Sequence, residues 1–234
     1  LSSLSFTHLD EVGSTNDWLL ARADELPDGH WVVATRQTAG RGRRGRVWND
    51  GMGNFMASVL VKADGPVQQL SFVAALALHD ALSTATGQPA RLALKWPNDV
   101  LLDGVKCSGI LLERQGLALV VGVGVNLAQH PEGTERPATS LAAAGLPVPD
   151  TVAFLGAIGS SFTRWRLVWE TQGFGPIRSA WLARAAGVGG RITARLGSES
   201  PEGLFAGLAD DGALLMALDD GSLRAIHAGE VFAL

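Results

Sequence analysis

Gly40-Arg41-Gly42-Arg43-Arg44-Gly45-Arg46-Val47-Trp48 is the stretch on which the fold turns: seven residues hold four arginines and three glycines, and a tryptophan closes the run. Its Gly40-x-Gly42-x-x-Gly45 spacing matches by count the dinucleotide-binding fingerprint. That fingerprint needs its glycines to open a helix directly after a strand. A strand-like run, Trp31-Val32-Val33-Ala34-Thr35, does precede it, but Val47-Trp48-Asn49-Asp50-Gly51-Met52-Gly53-Asn54 follows, which is turn chemistry. The doubly wound reading therefore fails on its context. A flexible arginine-glycine segment for RNA would need a longer run and a more basic chain than one of net charge −4. An inert solvated loop leaves the interleaved glycines and Trp48 without a reason. A local anion site remains. Glycine lets the backbone turn tightly and approach a ligand, and arginine presents a planar fork of donors to phosphate or carboxylate.

Three more islands lie outward from this run. The chain has only three lysines, Lys62, Lys95 and Lys106, and two of them fall in one short stretch. That stretch reads Lys95-Trp96-Pro97-Asn98-Asp99-Val100, a turn at Asp103-Gly104, then Lys106-Cys107-Ser108-Gly109-Ile110-Leu111. Arginine has replaced lysine almost everywhere else, so a compact ammonium here points to chemistry. Val120-Val121-Gly122-Val123-Gly124-Val125-Asn126 reads as a buried strand whose glycines leave room for something to approach the backbone. Near the start, Ser14-Thr15-Asn16 precedes the helical pattern of Trp18, Leu19 and Leu20, and by itself reads as an ordinary N-cap.

In this order the four islands resemble the catalytic domain of biotin protein ligases, over roughly residues 5–185, in a short form without an N-terminal DNA-binding domain. The resemblance implies an α+β fold, a mixed sheet packed with helices as in class II synthetase-like ligases, over 1–187. It also implies a small SH3-like C-terminal barrel over 188–234. The implied reaction has two steps: biotin and MgATP give biotinyl-5′-AMP, then a lysine of a biotin carboxyl carrier domain takes the biotinyl group. Lipoate or octanoate transfer on the same fold is the enzymatic alternative, and a nucleic-acid-binding module built on the arginine loop is the non-enzymatic one.

A carboxylate and a triphosphate must meet although both are anionic, so fixed positive charge is needed where the phosphorus is attacked. On the family pattern Gly40, Arg41, Gly42 and Arg43 would hold the acyl phosphate, with Arg44 beside the nucleotide and Arg46 meeting pyrophosphate. Lys106 would neutralise the joining oxygens. Ser14, Thr15, Asn16 and Gln37 would take the polar part of biotin, with Gly109 and Gly122 as bare backbone beneath it. Trp48 would cover adenine and Asn126 would bond its amine. Asp99 would orient the attacking lysine, sit near Mg²⁺, or merely anchor its turn. The only metal expected is Mg²⁺ carried by ATP. The arginines Arg36, Arg41, Arg43, Arg44 and Arg46 repel one another in an empty site, so residues 38–49 are expected to be mobile without ligand and ordered over it.

The 234 residues, 47% apolar and 18% charged, suit one sizeable core and a small second domain. No apolar run reaches the roughly 18 residues of a membrane span, and Leu1-Ser2-Ser3-Leu4-Ser5-Phe6 carries no signal-peptide pattern. The single cysteine, Cys107, excludes an internal disulfide, suits a reducing cytoplasm and reads as a packed strand residue. Thirteen residues ahead of Ser14 are too few for a DNA-binding helix pair, so no DNA binding and no repressor function is expected. An exposed sheet edge would support either a homodimer or docking of the acceptor.

The coarse order is strand 3–12, helix 15–26, strand 30–36, arginine loop 37–52, strand 54–62 and helix 66–87. Strands near 91–95, 99–102, 105–113 and 116–126 follow. Phe154, Ile158, Phe162, Trp165 and Trp169 recur at helical spacing and mark a core stripe. After Gly187-Val188-Gly189-Gly190, turns at Asp211-Gly212 and Asp220-Gly221 separate four or five short strands. Few charges lie in them, so this part is not expected to carry the chemistry.

Overall fold

The computed structural model describes residues 4–48, 51–135 and 137–233. Leu1, Ser2, Ser3, Asn49, Asp50, Arg136 and Leu234 lie outside the described residues, so the reading of Asn49-Asp50 as part of a turn falls outside them. The chain runs β1 (Phe6–Val12), α1 (Thr15–Leu20), β2 (Trp31–Gln37), β3 (Phe55–Lys62), α2 (Leu70–Thr86), β4 (Leu92–Lys95), β5 (Asp99–Leu102), β6 (Val105–Gln115) and β7 (Ala118–Val125). Then come α3 (Thr151–Gln172), α4 (Phe174–Leu182), β8 (Arg191–Arg195), β9 (Glu202–Leu208), β10 (Leu214–Ala217), β11 (Leu223–Ile226) and β12 (Glu230–Ala233). The first seven strands form one sheet in the order β1-β2-β3-β7-β6-β5-β4, with β1 parallel to β2 and the other pairs antiparallel. The mixed sheet with helices is as expected.

Side chains alternate faces along a strand, and that period places the site. Trp31, Val33, Ala57, Val59, Val121 and Val123 turn to the face covered by α2 and α3, in one core with Phe154, Ile158 and Phe162. Trp31 meets Phe162 edge-on at 5.7 Å, and Phe55 meets Phe154 likewise at 5.0 Å. Burying each such side chain stabilises the fold by about 1.5–3 kcal/mol. The opposite face starts apolar: Val32, Leu60 and Val120 pack with Leu19 of α1. Two residues further along, the register pairs Ser58 with Gly122, and Gly109 with Gly124. The face thus changes from branched aliphatics to a hydroxyl and bare backbone, which opens a hollow where α1 ends its cover.

Three elements differ from expectation. The first helix stops at Leu20 and continues to residue 25 as turns, with Arg22 and Ala23 bonding back three residues instead of four. A single 3-10 turn, Val67–Gln69, precedes α2, so Pro66 stands ahead of that turn and not in the first α-helical one. The helix α4 was hidden by Gly175-Pro176; both fall in its first turn, where no N–H partner is needed. In the aromatic stripe Phe154, Ile158, Phe162 and Trp169 are buried, while Trp165 is half-buried and donates its Nε1 hydrogen to Asp80 at 2.7 Å.

The last five strands form an antiparallel sheet in the order β11-β10-β9-β8-β12. Its turns sit where the Asp-Gly pairs put them, each with the aspartate accepting from the backbone two residues on. Ile192, Phe205, Leu214, Met216 and Ile226 belong to the same apolar core as the first sheet. Trp96 Nε1 also donates to the Gly212 carbonyl at 3.1 Å, and Gln69 Nε2 to that of Asp210 at 2.9 Å.

Candidate active site

The hollow on the open face is a cavity of about 410 Å³. Its floor is the β6–β7 backbone. A Cβ at Gly122 would overlap Asn16 Oδ1, one at Gly124 would overlap the Trp48 indole, and one at Gly109 would come within 3.3 Å of it. These three positions admit no larger residue unless a neighbour moves.

One end is polar and largely uncharged. Ser14 caps α1 by accepting from the Asp17 N–H, which confirms its reading as a cap. Thr15 donates from both N and Oγ1 to Gln37 Oε1, at 2.7 and 3.0 Å. Ser58 Oγ lies 2.7 Å from Thr15 Oγ1 and 2.6 Å from Asn16 Oδ1. Asn16 Nδ2 donates to Glu113 Oε2 at 2.7 Å. Ser14, Thr15, Asn16 and Ser58 are all buried.

The arginine run folds as a short hairpin over the other end. Gly42 N donates to the Arg46 carbonyl at 2.7 Å, and Trp48 N to that of Gly40 at 3.0 Å. Its tip holds Arg44 and Gly45 with φ of 58° and 71°, the left-handed region that glycine enters freely. Three arginines have different employments. Arg41 pairs with both Asp17 and Glu113. Hydrogen bonding to Asp17 holds the Arg41 guanidinium well above its ordinary range, and the same pairing holds the Asp17 carboxyl below its own. Arg46 reaches Glu230 of β12 at 2.6 Å. Arg43, between them, donates to a neutral acceptor, Asn98 Oδ1, at 3.2 Å. Burial, then the neighbouring Arg44, pull its pKa down. A half-buried cation facing a cavity and bonded to an amide is ready for an anion.

Lys106 Nζ lies 2.6 Å from Asp99 Oδ1, a carboxylate whose side chain is only 12% exposed. Asn126 is buried; its Nδ2 donates to the Thr139 carbonyl at 3.1 Å and its backbone N to that of Cys107. The Trp48 indole lies on Gly109 and Gly124, its Nε1 buried and without a hydrogen-bond partner among the described residues. Cys107 is fully buried and its thiol is pushed up to about 12 by desolvation, so it is a packed residue as read.

The cavity wall includes Ser14, Thr15, Asn16, Gln37, Arg41, Gly42, Arg43, Arg44, Arg46, Trp48, Asp99, Lys106, Gly109, Gly122 and Asn126. Gly40 is not on this wall: it stands at the hairpin base, where a Cβ would press to 3.0 Å on the Trp48 carbonyl oxygen. Arg41 is brought to the wall, but its guanidinium is taken up by two carboxylates. Sequence reading missed Asp17, Ser58, Glu113 and Glu230. Glu113 was readable in principle, since Gly109, Leu111 and Glu113 share one face of β6 by alternation. Among the described residues no group of three or more His, Cys, Asp or Glu side chains could hold a metal ion, and no helix is long and apolar enough to cross a membrane.

Residues 9–127 match the biotin/lipoate A/B protein ligase family, and residues 188–234 match the biotin protein ligase C-terminal domain. The biotin–[acetyl-CoA-carboxylase] ligase of Paracoccus denitrificans is 46% identical over 96% of this chain and 98% of its own length. The ligase of the same name from Mycobacterium tuberculosis is 35% identical over 94% and 86%. Among solved structures, the Aquifex aeolicus biotin protein ligase in complex with biotin and ATP superposes with a TM-score of 0.87 at 27% identity, covering 98% of this chain and 99% of that one. The Leishmania major biotin protein ligase with biotinyl-5-AMP superposes with a TM-score of 0.69 at 25% identity, over 97% and 100%.

Proposed function

The chain belongs to the biotin protein ligases of the biotin/lipoate A/B protein ligase family, and from that premise we propose how its own residues divide the reaction. Its activity is that of a biotin–[acetyl-CoA-carboxylase] ligase. A carboxylate oxygen of biotin attacks the α-phosphorus of ATP and pyrophosphate leaves. The ε-amine of the carrier lysine then attacks the acyl carbon of biotinyl-5′-AMP and AMP leaves. The acceptor is the biotin carboxyl carrier domain of the carboxylase, and Mg²⁺ enters with the nucleotide as part of the substrate.

The uncharged end suits the ureido ring, whose carbonyl and two N–H groups need donors and acceptors together: Ser14, Thr15, Asn16 and Gln37 supply both kinds. The acyl chain lies along Gly122 and Gly109. Arg43 and Lys106 face the point where carboxylate and α-phosphate join, and Asp99 positions Lys106. Arg44 and Arg46 stand on the triphosphate side, Trp48 covers the adenine, and Asn126 bonds its amine. Arg41 contributes as a fastener of the loop, not as an anion ligand, because its guanidinium already carries two carboxylates.

The observation that carries this reading is Arg43: a half-buried cation with a neutral partner, facing a glycine-floored cavity whose far end is polar but uncharged. The nucleic-acid alternative loses its support at Arg41 and Arg46, which are paired with the protein's own carboxylates. An ATP–pyrophosphate exchange assay tests the function. Exchange that depends on biotin, and that lipoate or octanoate does not support, is expected. Absence of biotin-dependent exchange, or equal exchange with lipoate, overturns it.

A further inference from the structure

Glu113 uses its two oxygens for two different parts of the site. Oε1 accepts from Arg41 Nε and Nη2 at 3.2 and 3.1 Å, at the entry to the arginine hairpin. Oε2 accepts from Asn16 Nδ2 at 2.7 Å, and Asn16 lines the polar end of the cavity. A carboxylate can only accept, so it fixes which way the Asn16 amide faces: NH₂ toward Glu113, carbonyl toward Ser58 Oγ at 2.6 Å. A flipped amide would set its oxygen against a carboxylate. Gly122 leaves the room in which that carbonyl sits, since a Cβ there would overlap it. Asp17, the other partner of Arg41, stands on the exposed side of the clasp, where its carboxylate accepts from Arg41 Nη1 and Nη2.

We propose that Glu113 is a positioning residue that couples the biotin pocket to the loop: one carboxylate orients the Asn16 amide for biotin and anchors Arg41 to hold the hairpin over the reactive adenylate. This rests on the assignment of Asn16 to the biotin subsite. Charge-assisted bonds to a fixed carboxylate are about twice as strong as neutral ones, and a network with a shared member responds as a unit. Disturbing Asn16 therefore disturbs the loop's anchor, and the reverse holds by the reciprocity of coupled equilibria.

The test compares the full chain with Glu113→Gln and Asp17→Asn, reading biotin KM and kcat in exchange, the lifetime of biotinyl-5′-AMP on the enzyme, and Tm. Glu113→Gln removes the charge at nearly constant shape and leaves one acceptor oxygen for two sets of donors, so an NH₂ must be set against either Asn16 Nδ2 or the Arg41 guanidinium. It is expected to raise biotin KM about tenfold and shorten the adenylate lifetime about tenfold, with kcat at saturating biotin within about threefold of the parent. Asp17→Asn is expected to shorten the lifetime alone, with biotin KM within about twofold. Should Glu113→Gln fold poorly, Glu113→Asp keeps the charge but loses reach, and should move both readouts in the same direction by less. A Glu113→Gln that moves only one readout, or that lowers kcat and Tm at unchanged KM, overturns the coupling. An unsubstituted chain without biotin-dependent exchange overturns the functional reading itself, which is a separate outcome.

Discussion

The floor and the lid of the cavity are built on opposite principles. The floor is a pair of central strands, β6 and β7, held by ladder hydrogen bonds on both sides, and shaped by what is missing at Gly109, Gly122 and Gly124. The lid is a hairpin of nine residues, fastened at one end by Arg41 on Asp17 and Glu113 and at the other by Arg46 on Glu230. Backbone geometry makes the floor rigid, since moving it would break a seven-stranded sheet. Exposed and half-exposed ion pairs hold the lid, and such pairs are individually weak. The difference suits the chemistry: recognition of biotin needs a fixed surface, whereas ATP must enter and the carrier lysine must later reach the acyl carbon.

The largest expected effect falls on the floor. Lys106 projects from β6 beside Asp99, and Lys106→Ala should lower the exchange rate by about 10²–10³, the usual loss for one transition-state donor, with the fold retained. Lys62→Ala, on β3 away from the cavity, should leave exchange within about twofold. Near-normal exchange in Lys106→Ala would remove that lysine from the mechanism. Gly122→Ala comes next: its Cβ competes with the Asn16 carbonyl, so biotin KM should rise about tenfold or more. If KM is unchanged, the floor yields and is not the rigid half of the pair. On the lid, Arg43→Gly should still form the adenylate but lose it several-fold faster, which off-target biotinylation of bystander lysines would report. No stray labelling would mean that retention does not depend on the lid's central arginine.

Much of the floor was legible because it obeys short rules. Alternation placed β3, β6 and β7 within a residue or two, and the glycines of Gly122-Val123-Gly124 fell on one face by parity. The lid was legible as composition but not as employment. Nothing local distinguishes Arg41, paired with two carboxylates, from Arg43, bonded to an amide. That distinction depends on Glu113 and Asp17 arriving from β6 and α1, and such contacts follow from register across strands that sequence spacing does not state. Glu230 was out of reach for the same reason, and the expectation that the last domain stands apart from the chemistry changes with it: Gly229, Glu230 and Val231 line the cavity wall. The shared apolar core also means that ending the chain near Gly187 would remove Ile192, Phe205, Leu214 and Met216 from it and uncover Phe72 where Gly212 meets it, as well as remove Glu230, so truncation would test folding more than catalysis.

Hydrogen exchange by mass spectrometry, with and without biotin plus ATP, tests the contrast most directly. The amides of residues 41–48 should exchange quickly in the free protein and become strongly protected on binding. Those of Ala118–Val125 should be slow in both states. Equal protection of residues 41–48 in the two states would show a preformed loop and contradict the division into rigid floor and closing lid.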